Sequence, residues 1–383
     1  MCALVGATSS LLHPNLCQSK KHPMTEEALK EEERIEPQSQ SSRLIITDSH
    51  GDWHDDWNAV PWRAQLDDVI TDAQTLLELV GLSGRQDVMH DPAFPIRIPR
   101  RWARRIKRGD PNDPILLQTL ALSLESLEVD GYSKDPLSEL GSMGPKGVIH
   151  KYASRVLLVT TGACAVNCRY CFRREFPYAD NYLSQASLQP MLDYIRNDTQ
   201  IFEVILSGGD PLMASNQRLR ALVLELANIE HVTHLRIHTR IPVMVPQRLD
   251  TQLIDLLRES GLTCSIVLHC NHAQELSDDL GVYVRACLSS GVMVYNQTVL
   301  LKNINDTIDA QFDLSITLSK RGVIPYYLHC FDAVRGASHF DVPLDVARDI
   351  YKGLLAKAPG YLVPRLVKEI PGKKSKIPLG VFG

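Results

Sequence analysis

The chain has 383 residues, of which 44% are hydrophobic and 22% charged, and its formal net charge is -4. This composition supports a sizeable core, and so small a net charge gives no reason to expect nucleic acid or an anionic membrane as a partner. No apolar run approaches the ~20 residues needed to span a bilayer. Nine cysteines, three of them in one short motif, are typical of a reducing compartment, so we expect a cytoplasmic protein.

The first 150 residues divide into two predicted regions. Residues 1–60 are expected to be a flexible N-terminal leader, because 25–60 are charged and contain Ser and Gln, and Met24 is an alternative start. Residues 61–150 are expected to form a mainly helical region, because apolar residues recur at helical spacing from Trp62 onward. This region includes a basic segment, 97–108, whose arginines we interpret as a solvated face.

A beta-alpha alternation repeats six times in the remaining region, residues 151–383. Strands that alternate with helices indicate parallel pairing and right-handed crossovers. Because six units fall short of a closed eightfold barrel, the sequence predicts an α/β fold, an open partial (β/α)6 barrel with an N-terminal helical region. The predicted strands are residues 155–161, 203–207, 234–239, 264–269, 292–300 and 324–330.

Polar residues stand at or near the C-terminal ends of all six predicted strands. Because the C-termini of such strands converge on one mouth of a barrel, where active sites lie, these residues are candidates for function. The set comprises a cysteine loop, Ser207-Gly208-Gly209-Asp210, His238-Thr239-Arg240, His269, Asn296-Gln297 and Asp332.

The cysteine loop carries Cys164, Cys168 and Cys171 at C-x-x-x-C-x-x-C spacing. Three thiolates on one short loop can hold three irons of a four-iron, four-sulfur (4Fe-4S) cluster and leave the fourth iron open to a small molecule. A zinc site would need a fourth ligand nearby, and the next cysteine is Cys264, so zinc or a chance cluster of thiols remains the alternative. The spacing, with aromatic Tyr170 before the third cysteine, resembles the radical S-adenosylmethionine enzymes.

A longer set of motifs resembles the lysine 2,3-aminomutase family, and within it the short branch that makes (R)-beta-lysine for modification of translation elongation factor P. The likeness covers about residues 62–383. It is carried in order by HKYASRVLLV, CAVNCRYCFRREFPYADN, LSGGDPLMA, LRIHTRIPVMVPQRL, NQTVLLKNIND, PYYLHCFDAVRGASHF and GYLVPRLVKEIPGKKSKIPL.

The resemblance implies three cofactors: a 4Fe-4S cluster on the three cysteines, S-adenosylmethionine and pyridoxal 5'-phosphate. Lys376 matches the lysine that binds pyridoxal phosphate covalently, although a lysine in a Pro/Gly loop is by itself usually a surface charge. The matching cofactor-contacting residues are Lys151, Tyr152 and Arg155 for pyridoxal phosphate, and Ser207, Gly208, Gly209, His269 and Gln297 for S-adenosylmethionine.

The resemblance also implies how the substrate is recognised. Arg173 matches the arginine that clamps the substrate carboxylate, a bidentate task that suits a planar guanidinium. Asp332 and Glu369 match the two acids that recognise the side-chain ammonium of lysine. The chain departs from the ordinary aminomutases where Glu369 replaces Asp and where Lys373-Lys374-Ser375 replaces a glycine run.

The implied reaction converts L-lysine to (R)-beta-lysine by migration of the amino group from C2 to C3. A cellular one-electron reductant would activate the enzyme, and the product would pass to the elongation factor P ligase. One alternative is an aminomutase for another amino acid such as glutamate, against which Asp332 and Glu369 argue electrostatically. Another is a non-catalytic iron-sulfur redox protein, which needs neither the cofactor lysine nor the substrate carboxylates.

Overall fold

The structure is a computed structural model and describes residues 57–380, so the predicted leader lies outside the described residues except for 57–60. The region predicted to be mainly helical contains short helices separated by irregular backbone, because the helical spacing that starts at Trp62 is interrupted at Asp68. Its elements are α1 (Trp62–Asp67), β1 (Val69–Ile70), α2 (Ala73–Leu79), β2 (Ile98–Pro99), α3 (Arg100–Ala103) and α4 (Pro114–Thr119).

The interpretation of the basic segment as a solvated face is wrong for several of its arginines. Arg101 donates to Gln247 Oε1 at 2.6 Å and to Asp279 Oδ2 at 2.7 Å. Arg105 donates to the backbone carbonyls of residues 274 and 276. These bonds attach the N-terminal region to loops of the barrel, and Trp102, which is fully buried, packs between the two parts.

A nine-stranded sheet forms the centre of the described chain, and seven consecutive strands of it are parallel. Its two edge strands are antiparallel to their neighbours and do not pair with each other, so the barrel is open. The strands are β3 (Val148–Tyr152), β4 (Arg155–Thr161), β5 (Glu203–Gly208), β6 (His234–Thr239), β7 (Thr263–His269), β8 (Met293–Val299), β9 (Ile324–His329), β10 (Arg365–Lys368) and β11 (Ile377–Pro378).

The six predicted strands are confirmed as β4 to β9, and their bounds differ from the predictions by at most one residue. Strands β3, β10 and β11 were not predicted, and β10 adds a seventh parallel strand beside β9. Spatial order follows sequence order from β3 to β11, so each crossover joins neighbouring strands. The fold is therefore an open partial barrel with one further parallel strand and an antiparallel strand at each edge.

Helices follow the parallel strands and cover the outer face of the sheet. The longer ones are amphipathic, and their apolar stripes enter the main core, except that α12 packs on a smaller cluster with Leu328 and Leu366. Side chains of Ser215, Asp250 and Thr307 cap three of them by accepting bonds from backbone N–H groups in the first turn. The helices are α5 (Tyr178–Asn181), α6 (Gln185–Asn197), α7 (Asn216–Ala227), α8 (Ile241–Met244), α9 (Thr251–Glu259), α10 (Leu280–Ser289), α11 (Ile308–Lys320) and α12 (Leu344–Lys357).

Side-chain alternation along the strands separates the core from the barrel interior. On β6, Leu235 and Ile237 belong to the hydrophobic core beneath the helices, whereas Arg236 and His238 face the interior. Other strands contribute polar residues to the same interior, so the sheet encloses a polar channel beside an apolar core. Within residues 57–380 no helix combines the length and the apolar composition that crossing a bilayer would need.

Candidate active site

The cysteine loop begins directly after β4. Cys164, Cys168 and Cys171 are free, partly accessible thiols, and the charges of the other two cysteines help to raise the pKa of Cys164, as Cys168 does for Cys171. Burial is the larger cause: it raises the pKa of the Cys164 thiol well above its usual range and that of Cys171 to about 11. The donor set fits an iron-sulfur cluster, because metal binding removes such protons and each thiolate can bind a different iron.

The spacing expected of the three thiols differs between an iron-sulfur cluster and a single metal ion. Within residues 57–380 no group of three or more His, Cys, Asp and Glu side chains is arranged to hold one metal ion. The thiols of a cubane cluster bind separate irons and therefore stand farther apart than the ligands of one zinc ion.

The segment after β5 packs directly on the cysteine loop. Gly208 has φ +108°, which favours glycine, and a Cβ on Gly209 would clash with the Ala163 carbonyl. The N–H of Gly209 donates to Thr161 O at 2.8 Å, and the N–H of Asp210 donates to Ala163 O at the same distance, so the backbone of this segment is bonded to the start of the cysteine loop. Ser207, the third predicted residue here, accepts a bond from Arg173 at 3.3 Å. The segment therefore lies close to the three thiols.

His269 and Gln297 are neighbours in the sheet, because β7 and β8 pair these two residues. The Nε2 of His269 is 2.8 Å from the Tyr170 hydroxyl, and the two rings stack with centroids 5.7 Å apart. Burial, followed by the Arg240 charge, keeps the pKa of His269 well below its usual value, so its ring is neutral. The structure thus places His269 against the loop that carries the cysteines, with Gln297 beside it on β8.

An alternating chain of charges runs through the barrel interior from Arg173 to Lys376. Arg173 Nε and Nη2 donate to the two carboxylate oxygens of Glu139 at 2.6 and 2.8 Å. Lys151 Nζ lies 3.5 Å from Glu139 and 2.9 Å from Glu369. Glu369 also pairs with the ammonium group of Lys376. Burial opposes ionisation of Glu369, but the Lys376 and Lys151 charges outweigh it and lower its pKa to about 2.

The strand pair β10 and β11 brings Glu369 and Lys376 together. Lys368 pairs with Ile377, so the two residues that extend the strands face each other across the turn. Lys376 is half-buried and points to the interior, whereas Lys373 and Lys374 are exposed. Of these three lysines, Lys376 is therefore the one that a cofactor in the channel could reach.

Asp332 lies just beyond β9 in the same interior. Burial, followed by the nearby Glu369 charge, raises the pKa of its carboxyl group to about 7. Among residues 57–380 no hydrogen bond to this carboxylate is seen, although the Lys376 and Lys151 ammonium groups are close enough to oppose the shift. A half-buried acid that lacks a hydrogen-bond donor would accept a cationic ligand.

The three residues predicted to contact pyridoxal phosphate, Lys151, Tyr152 and Arg155, have different partners in the structure. Arg155 lies at the start of β4, with its guanidinium 4.4 Å from the centre of the Tyr152 ring. Tyr152 donates to Glu369 at 3.2 Å, so its hydroxyl faces the charge chain. Lys151 is held between two carboxylates, and in this arrangement it neutralises them rather than presenting a free charge to phosphate.

Three further residues have a place in the site: Glu139, which the sequence did not mark, and Asp210 and His238, which were candidates at strand ends without an assigned role. Glu139 joins Arg173 to Lys151, and no periodic pattern marks a single acid in a loop. Asp210 is buried and accepts bonds from Thr239 Oγ1 and from the backbone N–H of Arg240, both at 2.7 Å, which joins the loops after β5 and β6. Through these bonds, Glu139 and Asp210 hold other residues of the site in position.

The third is His238, which stands in the interior near Lys376 and Arg173 and has a buried Nε2 atom without a hydrogen-bond partner. Burial, helped by the neighbouring cations, keeps its pKa well below the usual value, so the ring is neutral. An unsatisfied buried nitrogen in a polar channel fits a site that takes a polar ligand.

Comparison with known proteins identifies the family. The Radical SAM superfamily profile matches residues 158–281, which include the three cysteines. An L-lysine 2,3-aminomutase of Escherichia coli (strain K12) is 42% identical over 322 residues, covering 83% of this chain and 94% of that protein. The chain belongs to the L-lysine 2,3-aminomutase family.

Other members of the aminomutase family differ in how much of their length the match covers. An L-lysine 2,3-aminomutase of Haemophilus influenzae is 41% identical over 318 residues, which cover 82% of this chain and 94% of that protein. The L-lysine 2,3-aminomutase of Clostridium subterminale is 32% identical, and 79% of its length is covered. This aminomutase-family chain therefore aligns with nearly the full length of the first two relatives and with a smaller share of the third. As members of the radical S-adenosylmethionine superfamily, such proteins use a 4Fe-4S cluster and S-adenosylmethionine.

Proposed function

We propose that the protein is an isomerase that converts L-alpha-lysine to (R)-beta-lysine by 1,2-amino migration. The observation that carries the proposal is the charge arrangement of the interior. One arginine, Arg173, lies toward the cysteine loop, and two acids, Asp332 and Glu369, lie beside Lys376. A carboxylate at one end and an ammonium group at the other would match these charges.

The same arrangement favours lysine over glutamate. A glutamate side chain would bring a second carboxylate to Asp332 and Glu369, and like charges in a low-dielectric interior repel strongly. A non-catalytic iron-sulfur protein would have no use for the buried cations and acids of the channel. The charges therefore support a catalytic role with a dibasic amino acid.

Three cofactors are proposed. The residues Cys164, Cys168 and Cys171 would hold the cluster, and the 207–209 segment with His269 and Gln297 would contact S-adenosylmethionine. Lys376 would bind pyridoxal phosphate covalently, with Tyr152 and Arg155 beside it. When bound, these groups supply a carbon radical that removes a hydrogen atom and a conjugated ring that delocalises the unpaired electron.

The protein's own part is to bind, orient and exclude water. Arg173 would hold the substrate carboxylate through the N–H groups that face away from Glu139, since its Nε and Nη2 edge is already occupied. Asp332 and Glu369 would receive the substrate ammonium group. Glu369 is paired with Lys376 in this structure, so release by Lys376 would free one of its carboxylate oxygens for the substrate. His238 would donate or accept one hydrogen bond in the channel.

The biological setting is also part of the proposal. The match to nearly the full length of the Escherichia coli relative supports the short branch, whose product would go to the elongation factor P ligase. A cellular one-electron reductant would be needed. All seven cysteines within residues 57–380 are free thiols, which supports a reducing compartment such as the cytoplasm.

One assay tests the proposal. The full chain is reconstituted anaerobically and incubated with L-lysine, S-adenosylmethionine, pyridoxal phosphate and dithionite, and products are separated on a chiral column. The expected product is (R)-beta-lysine, with glutamate unchanged in a parallel reaction. Faster rearrangement of glutamate, or no rearrangement by a protein that holds all three cofactors, would contradict the proposal.

A further inference from the structure

Arg240 lies directly against the cysteine loop, at the end of β6. Its Nη1 donates to Cys168 Sγ and to the Tyr170 hydroxyl, both at 2.6 Å. Its Nη2 donates to Gln118 Oε1 at 2.7 Å and to Glu275 Oε2 at 2.8 Å. A buried cation thus contacts the sulfur of one of the three proposed cluster ligands.

The surroundings hold Arg240 in this orientation. Glu275, which is fully buried, accepts further bonds from Gln118 Nε2 and from the backbone N–H groups of residues 271 and 272, at 2.9 to 3.0 Å. The Trp102 ring lies beneath the guanidinium, 4.8 Å away. Nη2 of Arg240 pairs with the Glu275 carboxylate and Nη1 contacts the Cys168 sulfur. The positive end of this ion pair therefore faces the cysteine loop.

We propose that Arg240 is a positioning residue that raises the reduction potential of the cluster bound through Cys168. Reduction by one electron from an external donor adds one negative charge to a group that three thiolates already make anionic. A buried cation at hydrogen-bonding distance stabilises the reduced form more than the oxidised form, and bonds to the ligand sulfur act in the same direction. The proposal rests on Cys168 as a ligand, which is part of the proposed function.

The test is a potentiometric titration of the anaerobically reconstituted full chain, followed by electron paramagnetic resonance of the reduced cluster. Arg240→Gln is expected to lower the midpoint potential at unchanged iron content, and Arg240→Lys, which keeps a cation, to lower it less. The control is Arg248→Gln, because Arg248 is also a buried arginine and its bonds include those to the backbone carbonyls of Leu212 and Ala214. The control should leave the potential unchanged.

An Arg240→Gln protein with full iron content and the parent's potential would overturn the proposal. Because that variant leaves Glu275 unpaired, the double variant Arg240→Gln/Glu275→Gln is measured as well. It should also show a lowered potential, because the lost cation is nearer to the sulfur than the lost anion, and an unchanged or raised potential contradicts the proposal.

Two further results separate the possible failures. If Arg240→Gln cannot hold iron, Arg240→Lys must restore iron and bring the potential close to the parent's, and a lysine variant that also loses its iron refutes the electrostatic role. Cys168→Ala tests the underlying assignment, since normal cluster content in that variant would remove Cys168 from the ligand set whatever Arg240 does.

Discussion

Glu139 and Arg173 form a bidentate ion pair inside the barrel, with side-chain exposures of 5% and 8%. The pair joins the loop before β3 to the loop that carries the cysteines. The same guanidinium donates to Ser207, so its position is fixed from two sides.

Replacing Glu139 by Gln should lower the free energy of unfolding by about 3 to 5 kcal/mol, because Arg173 is left as a buried charge with reduced compensation. The measurement is denaturant unfolding. The matched control is Glu175→Gln, since Glu175 makes the same two-bond contact with Arg335 at the surface, where both partners are more exposed. Glu175→Gln should lower the free energy of unfolding by under about 1 kcal/mol. If Glu139→Gln and Glu175→Gln lowered it equally, the predicted effect of burial would be contradicted.

Replacing Cys164, Cys168 or Cys171 singly by Ala should abolish the visible absorbance and iron content of the reconstituted protein, because the three thiols share one loop. Cys287→Ala is the control, since that cysteine is buried on α10 and belongs to the core. Normal iron in any one of the three loop variants would remove that cysteine from the ligand set.

Lys376 is expected to carry pyridoxal phosphate, because its side chain enters the channel whereas those of Lys373 and Lys374 are exposed. Borohydride reduction of the protein with bound cofactor, followed by peptide mapping, should locate the label on Lys376. A label on either neighbour would show that the altered loop has been aligned wrongly with the family.

Asp332→Asn should depress lysine turnover by orders of magnitude while cluster and pyridoxal phosphate contents stay normal. The reason is the loss of a buried partner for the substrate ammonium group, which typically costs ~3 to 5 kcal/mol. Near-normal activity with lysine would contradict the substrate assignment without affecting the cofactors.

The pKa of Asp332, about 7, predicts a pH dependence of lysine binding. Below this pH the carboxyl group is protonated and cannot pair with an ammonium ion, so kcat/KM for lysine should rise as pH increases through about 7. Asp332→Asn should remove this rise. A parent profile that is flat between pH 6 and 8 would show that Asp332 is already ionised in the free protein.

The raised pKa of Asp332 also predicts how the stability of the protein changes with pH. Its folded-state pKa lies above the unfolded value of about 4, so the folded state binds more protons between these values and loses stability as pH rises through them. Thermal unfolding without cofactors should show Asp332→Asn as more stable than the parent above pH 7. The difference should vanish below about pH 4.

The sequence predicted six of the seven parallel strands, because each is a short segment with buried apolar residues that is followed by a stretch of helical periodicity. Strands β10 and β11 escaped prediction because four and two residues are too few to show a pattern. The partners of Arg105 lie about 170 positions away along the chain, so its burial depends on tertiary contacts that no local signal reports. Glu139 was missed for the same reason, since only the folded barrel brings it to Arg173.

The hairpin of β10 and β11 carries both Glu369 and Lys376, and β11 pairs with β10 alone. Segments at a sheet edge with few pairing bonds open locally at a lower free energy than the whole domain. If this hairpin opened, Lys376, the proposed cofactor lysine, and Glu369, one of the two acids proposed to bind the substrate ammonium group, would leave the channel together. The cysteine loop and the central strands would stay folded. Hydrogen exchange should therefore be faster at 365–378 than in β5 to β7, and retention of pyridoxal phosphate would depend on this edge more than on the stability of the barrel.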